Sequence, residues 1–94
     1  NQELALAAAL ELERLNAGDC LVASFGTDGI DGCTDAAGAV GRARTITSAR
    51  DQGVRPESFL RRHDSHSFFK QFGGLLQTGP TGTNVADIVI AVRT

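Results

Sequence analysis

Apolar positions repeat at helical spacing near the start of the chain. Residues 3–15 are dominated by Leu, Ala and Glu, which are strong helix formers. Leu6 and Leu10 mark one apolar face, and a second face carries four more apolar side chains at helical spacing, namely Leu4, Ala8, Leu12 and Leu15. Two apolar faces predict a helix that is buried on more than one side. Gly18 ends the pattern, because glycine favours the left-handed conformation of a helix C-cap.

Short apolar runs predict the strands. Cys20–Phe25 follows a tight turn directly after the helix and ends at Gly26, which predicts a central strand buried on both faces. Leu75–Thr78 predicts a short strand, and the β-branched run Ile88–Val92 predicts a strand that could lie in the sheet interior. Small residues over 35–41 suit either a tightly packed strand or a short helix, and we favour the strand.

Three short helices are predicted between these strands. Thr45–Gln52 ends at Gly53, Pro56–Arg61 begins with a first-turn proline, and Asp64-Ser65 provides an N-cap for His66–Phe72. In the last of these, Phe68, Phe69 and Phe72 recur at helical spacing and are predicted to lie in the core. The order of elements predicts an α/β fold, a layered domain with a mixed β-sheet flanked by helices, formed by residues 1–94 as a single domain.

Composition and charge argue against several classes of protein. The 94 residues carry nine basic and eleven acidic side chains, a net charge of −2, which argues against a nucleic-acid partner. No apolar stretch approaches the twenty or so residues of a membrane span, and no secretory signal is visible, so a cytoplasmic location is expected. Cys20 and Cys33 are too few for a disulfide framework and are expected to be reduced. The helical opening without a starting Met suggests a segment of a longer polypeptide.

Two glycine-rich loops are the candidate sites. In the first, residues 26–32, a glycine recurs at every third position, with Asp28 and Asp31 between the glycines. Two carboxylates there could hold a divalent cation or orient a hydroxyl, or they could cap amides of ordinary turns. In the second, Gly79–Asn84, exposed amides and Thr hydroxyls suit phosphate or carboxylate oxygens, although an ordinary hairpin loop explains the same residues.

Two further groups of polar residues are open to functional and structural interpretations. His63 and His66 are three residues apart, a conceivable metal pair, but no third soft ligand is nearby and the structural interpretation is favoured. Asn1-Gln2-Glu3 opens the first helix; such residues usually cap a helix, and an exposed helix N-terminus can also bind an anion.

Four stretches together resemble the carboxyl-terminal region of the MOFRL family, and the resemblance covers nearly the whole chain. They are Asn1–Ala7, Gly26–Gly32, Thr34–Ala39 and Thr78–Val85. Asp64-Ser65 with Phe68-Phe69 is similar to a further family stretch, in which His66 replaces the usual aromatic residue.

The resemblance implies a phosphotransferase. Family members are glycerate 2-kinases, long named hydroxypyruvate reductases: two-domain α/β proteins that transfer the γ-phosphoryl group of ATP to D-glycerate, with Mg²⁺. Their active site lies between a larger amino-terminal domain and the domain represented here. The family's Arg directly before the position of Asn1, and the amino-terminal domain with its catalytic Lys, are outside this chain. It is therefore expected to need that domain as its partner, to bind no cofactor tightly by itself, and to be inactive alone.

The resemblance also implies roles for individual residues. Asp28 is expected to orient the glycerate hydroxyl or a Mg²⁺-bound water. Eight other residues, on the side facing the cleft and at the start of the first helix, are expected to bind substrate or phosphate. They are Asn1, Glu3, Thr27, Asp31, Thr81, Gly82, Thr83 and Asn84.

Two alternatives stay open. The chain could be a non-catalytic α/β domain whose loops bind a ligand or a partner domain. It could also belong to a reductase of hydroxypyruvate, although no GxGxxG fingerprint occurs in it.

Overall fold

The structure is a computed structural model, and it describes residues 2–16, 20–26, 37–76 and 87–93. These ranges contain four helices and four strands. In chain order they are α1 (Gln2–Arg14), β1 (Cys20–Gly26), β2 (Gly38–Arg42), α2 (Ala43–Asp51), α3 (Pro56–Arg61), α4 (Ser65–Phe72), β3 (Leu75–Leu76) and β4 (Asp87–Arg93).

The strands form one sheet in the order β3-β2-β1-β4. Every pairing between described strands is antiparallel: β1 with β2, β1 with β4, and β2 with β3. The α/β fold with a sheet and flanking helices is thus confirmed, whereas the predicted mixed sheet is wrong for this part of the chain. The apolar pattern locates strands in the sequence, but it does not show how the connections between them run. The relative direction of neighbouring strands depends on these connections, so it was predicted less well than the strand positions.

The sequence located most elements to within a few residues. The strand favoured for 35–41 is observed as β2, α3 has the predicted bounds, and α2 and α4 differ from prediction by one or two residues at their ends. Asp64 is the N-cap residue of α4, as predicted, but its Oδ1 accepts a hydrogen bond from the Ser67 hydroxyl at 2.7 Å. No side-chain hydrogen bond caps the backbone of that helix.

All four helices contribute to one core on one face of the sheet. Its fully buried members are Ala5, Leu6, Ala9, Ala39, Ile46, Ala49, Phe68 and Phe69. The ring of Phe68 lies at the centre of this cluster, with ring centroids of Phe59, Phe69 and Phe72 at 5.5, 5.4 and 5.0 Å. The prediction that the phenylalanines of α4 form core is confirmed for Phe68 and Phe69, and Phe72 packs against the cluster from its border.

Helix α1 packs on the sheet through small side chains. A Cβ at Gly41 would lie 2.2 Å from the carbonyl oxygen of Ala5 and 3.0 Å from the Cβ of Ala9, so this position of β2 must be glycine. The four-residue apolar face predicted for α1 is therefore not its core face: Leu4 and Leu15 are 48% and 60% exposed. Close approach of helix and sheet selects alanine over leucine, which the apolar spacing alone does not reveal.

The burial predicted for two strands is wrong. β1 is central, as predicted, because it pairs with β2 on one side and β4 on the other. However, it is not buried on both faces, since the side chains of Leu21, Val22 and Ala23 are only half-buried. β4 lies at the edge of the described sheet rather than in its interior. The helical layer on one face stops short of it.

Two helices end with the same hydrogen-bonding motif but with different residues. At the end of α2, Gly53 has φ 78°, and at the end of α3, His63 has φ 55°. In each motif the next residue closes the helix: Val54 N–H donates to Ala49 O at 3.0 Å, and Asp64 N–H donates to Phe59 O at 2.8 Å. The glycine end was predicted from sequence, whereas the histidine end was not, because residues other than glycine adopt the left-handed region only rarely.

Candidate functional site at one edge of the sheet

The ends of all four strands meet at one edge of the sheet. Ala37 N–H donates to Leu76 O at 2.6 Å, and Gly26 N–H donates to Ala37 O at 2.9 Å. Gly26 in turn pairs with Asp87 at the start of β4. The last residue of β1, the residue before β2, the last residue of β3 and the first residue of β4 thus form a single row across the sheet.

Both candidate loops are anchored in this row. Residues 27–36 leave from Gly26 and return at Ala37, and residues 77–86 leave from Leu76 and return at Asp87. At the usual spacing of strands, Leu76 and Asp87 are about 14 Å apart, with the ends of β2 and β1 between them. The two glycine-rich segments are therefore anchored at one edge of the sheet, although the strands that they follow, β1 and β3, are separated by β2.

Most of the site residues predicted from sequence lie outside the described residues. These are Asn1, Thr27, Asp28, Asp31, Thr81, Gly82, Thr83 and Asn84. Their roles stay predictions, as does the reduced state of Cys33. Of the predicted set, the structure places Glu3, and Cys20 is a half-buried free thiol.

The N-terminal end of α1 points toward the same edge. Helix α1 is joined to β1 by a short connection and packs against it, so the two elements run in opposite directions. The end of β1 at Gly26 and the beginning of α1 at Gln2 are therefore on the same side of the domain. Gln2 is buried, with 4% of its surface exposed, and Glu3 in the first helical turn is exposed. A carboxylate in this position is stabilised by the helix dipole.

Glu3 contacts a histidine sixty positions away in the chain. The Oε1 atom of Glu3 lies 2.5 Å from Nδ1 of His63, and both side chains are largely exposed. The contact is an ion pair when the imidazole is protonated, and it connects the first turn of α1 to the turn between α3 and α4. No pattern in the sequence indicated this pair. Only the opposite charge of a carboxylate and an imidazolium could have suggested it, and no spacing rule joins residues this distant.

The described residues offer no ready metal centre. His63 and His66 are separated by the start of α4, His63 contacts Glu3, and His66 is half-buried. Among the residues placed by the structure, no three His, Cys, Asp or Glu side chains are grouped so as to hold a metal ion. In the same ranges, no helix has both the length and the apolar character needed to cross a bilayer.

A second charged cluster lies near the other end of α1. Arg50 in the last turn of α2 donates to Glu13 of α1 at 2.8 Å and to Glu57 of α3 at 2.6 Å. Hydrogen bonding to Arg50 lowers the pKa of Glu57, and bonding to the two carboxylates, Glu13 first, raises the pKa of Arg50. Because this cluster joins three helices and its charges pair with one another, we interpret it as structural.

Comparison with known proteins identifies the family. A family model described as the MOFRL family matches residues 1–87. The chain belongs to the MOFRL family. Its fold is also that of a solved member: over the whole chain it superposes on the crystal structure of a glycerate kinase from Thermotoga maritima with a TM-score of 0.92 and 45% identity. The chain covers 22% of that structure.

Curated relatives of this MOFRL chain carry two kinds of name. A glycerate 2-kinase from Pyrococcus horikoshii is 48% identical over 94 residues, which is 100% of this chain and 21% of the relative. A protein from Agrobacterium vitis, named provisionally as a hydroxypyruvate reductase, is 52% identical over 62 residues, or 66% of this chain and 14% of the relative. The MOFRL chain thus spans about a fifth of the length of the glycerate kinases that it matches.

Proposed function

We propose that this chain is the carboxyl-terminal part of an ATP-dependent glycerate 2-kinase and contributes one wall of its active site. The observation that carries the proposal is the high similarity to glycerate kinases over the whole chain, 48% to the Pyrococcus relative, together with a common sheet edge for the anchors of both candidate loops. The cytoplasm is the expected location, and D-glycerate, ATP and Mg²⁺ are the expected ligands of the complete enzyme.

The candidate residues match the chemistry of phosphoryl transfer, which depends on positioning and on electrostatic stabilisation of the moving group. Asp28 would accept a hydrogen bond from the glycerate hydroxyl or from a Mg²⁺-bound water. Thr81, Thr83 and Asn84 would donate hydrogen bonds to carboxylate or phosphate oxygens, and Gly82 would let the backbone approach them. Carboxylate, hydroxyl and amide oxygens are also the donors that Mg²⁺ prefers, so the residue types fit the metal. When bound, ATP supplies the phosphoryl group.

Most of the cationic groups that such a reaction needs are expected elsewhere in the enzyme. The chain contains a single lysine, Lys70, which is exposed on α4, and its arginines within the described ranges lie on helices, beside the ends of α3 or at strand ends. We therefore propose that the amino-terminal domain of the same polypeptide completes the site and that the chain alone is inactive.

A chimeric kinase tests the proposal. In it, this chain replaces the matching segment of the Thermotoga maritima D-glycerate 2-kinase, which is 46% identical to it. We expect ATP-dependent phosphorylation of D-glycerate, measured by a coupled assay of 2-phosphoglycerate. Asp28→Asn should lower kcat by about 100-fold or more, in the range seen when one stabilising group is removed from an active site.

The matched control is Asp51→Asn. Asp51 is an exposed carboxylate at the end of α2, remote from the loop anchors, and its substitution should leave kcat unchanged. Normal turnover of the Asp28→Asn enzyme would remove Asp28 from the mechanism. A folded chimera without kinase activity that oxidises NAD(P)H in the presence of hydroxypyruvate would favour the reductase suggested by the name of the Agrobacterium relative.

A further inference from the structure

The face of the sheet opposite the helices is largely apolar, and no element of the described residues covers it. Cross-strand partners point to the same face of a sheet. Because Gly41 faces α1, its neighbour Val40 faces away, and so do the partners in the Val40 row, Ala23 and Ile90. By the same register Leu76, Ile88 and, at the end of β2, the exposed Arg42 also point to this side. We call its apolar side chains the open face: Leu21, Ala23, Phe25, Val40, Leu76, Ile88, Ile90 and Val92.

None of these open-face side chains is fully buried. Leu21, Ala23, Phe25 and Val40 are half-buried, while Ile90 and Val92 are 45% and 41% exposed. On the other side of the edge strand β4, Val89 is 53% exposed as well. The apolar surface is thus continuous over three strands and around the edge of β4.

This composition is not that of a solvent-exposed sheet. An antiparallel sheet with one face in water alternates apolar and polar residues along its strands, whereas residues 88–92 are apolar on both faces. The surface of the helical layer looks quite different, since Arg44, Ser48, Arg61 and Lys70 are exposed there. The helical layer thus has the composition of a solvent-exposed surface, whereas the open face has the composition of a surface that contacts protein.

The length of the relatives indicates which protein covers it. The same fold occurs in the Thermotoga glycerate kinase, where it makes up 22% of the chain, so most of that polypeptide lies outside the matched segment. A sheet with two apolar faces needs two covering layers, and the helices among the described residues supply only one. The polypeptide outside the matched segment can supply the second.

We propose that the open face is the docking surface for an apolar layer contributed by the remaining polypeptide of the longer enzyme. The inference rests on the proposed function only in that the chain is part of such an enzyme. It concerns a different surface from the candidate site, since the loop anchors lie at the ends of the strands and the open face lies on their flat side.

Cysteine labelling of the chimeric kinase tests the inference. In a background with Cys20→Ala and Cys33→Ala, single substitutions Ile90→Cys and Val92→Cys report on the open face, and Ser48→Cys reports on the exposed surface of α2. Thiol reactivity depends on access, so we expect a water-soluble maleimide to label the two open-face variants at least about ten-fold more slowly than the Ser48→Cys control. Equal rates would overturn the inference.

The same experiment separates the open face from the proposed function and from self-association. An inactive chimera in which both open-face positions are protected would contradict the kinase and support the docking surface. An active chimera with both positions freely labelled would do the reverse. Protection that disappears when the protein is diluted from dimer to monomer would assign the open face to a second copy of the chain and overturn our proposal.

A second measurement does not depend on the fold of the chimera. This chain and the remaining Thermotoga polypeptide are co-expressed as two separate chains, with an affinity tag on the latter. We expect co-purification of the parent and of Ser48→Lys, and a loss of about ten-fold or more with Ile90→Lys, because a charge would be buried in an apolar contact. Failure of the parent chain to co-purify, or equal recovery of the two lysine variants, would overturn the inference.

Discussion

Both faces of the sheet carry apolar side chains, but the two faces differ in the size and the burial of those side chains. On the helical face, contact is made by small residues: Ala39 is fully buried, and Gly41 lies directly under Ala5 and Ala9. On the open face the side chains are larger, and they are only half-buried or exposed. The first face is packed as a protein interior, while the second carries apolar side chains over which no described element packs.

The comparison shows that apolar composition by itself does not define a core. Burial depends on which elements can approach a face, and approach depends on the smallest residues at the contact rather than on the largest. A substitution should therefore have a large effect on the helical face and a modest one on the open face, even where the chemical change is identical. Matched pairs of substitutions, one on each face, test whether this difference in their effect on stability exists.

The largest difference is expected between two phenylalanines. Phe68 is fully buried against three other rings, so Phe68→Ala should lower the free energy of unfolding by about 3–5 kcal/mol, a large share of the stability of a small domain. Phe25 on the open face is half-buried, and Phe25→Ala should cost about 1–2 kcal/mol. Urea unfolding of both variants measures the difference. Equal costs would mean that the two faces are equally packed.

The next effect concerns methyl groups added to each face, one in Gly41→Ala and two in Ala23→Val. In Gly41→Ala the new Cβ would meet the carbonyl oxygen of Ala5, which is backbone and cannot move aside, so we expect a loss of about 1–3 kcal/mol or more. Ala23→Val adds methyl groups to the open face of the neighbouring strand and should change stability by about 0.5 kcal/mol or less. A Gly41→Ala variant as stable as the parent would show that α1 does not lie this close to β2.

These contrasts also explain what could be predicted from the sequence. Elements with a local signal were found: Pro56 begins α3, Gly53 ends α2, and an apolar run bounded by turn residues gives β1. The core face of α1 was found only in part: Leu6 of the predicted Leu6–Leu10 face is buried in the core and Leu10 packs against it. The close contact through the alanines of α1 was missed, because it depends on Gly41, more than thirty positions away in the chain. Leu4 and Leu15 are large and correctly spaced, yet they are exposed because no described element packs over them.

The candidate site, too, could be predicted from the sequence only in part. Glycines and carboxylates at the ends of strands indicated the two loops, and the family resemblance gave them roles. What the sequence could not give was the hydrogen-bonded row that anchors both loops at one edge, since it requires the order of the strands. The contact between Glu3 and His63 could not be predicted either, because it depends on how the end of α3 is placed against α1.

The smallest effect on stability is expected from the ion pairs that join α2 to α1 and α3. Arg50, Glu13 and Glu57 are 39%, 25% and 45% exposed, so solvent screens their attraction, and Arg50→Met should cost about 0.5–1 kcal/mol at neutral pH. The matched control is Arg44→Met on the exposed surface of the same helix, which should be neutral. Denaturant unfolding at a series of pH values measures both.

The pH dependence distinguishes this electrostatic contribution from packing of the arginine stem. Arg50 lowers the pKa of Glu57 from its ordinary value of 4.5, so the folded state binds this proton less readily than the unfolded state. The resulting stabilisation is fully present above that value and is lost as the pH falls through the lowered pKa of the folded protein. The parent and the Arg50→Met variant should therefore converge in stability on acidification, whereas the difference between Phe68→Ala and Phe25→Ala should persist. A difference for Arg50→Met that does not change with pH would assign the role of Arg50 to its apolar stem.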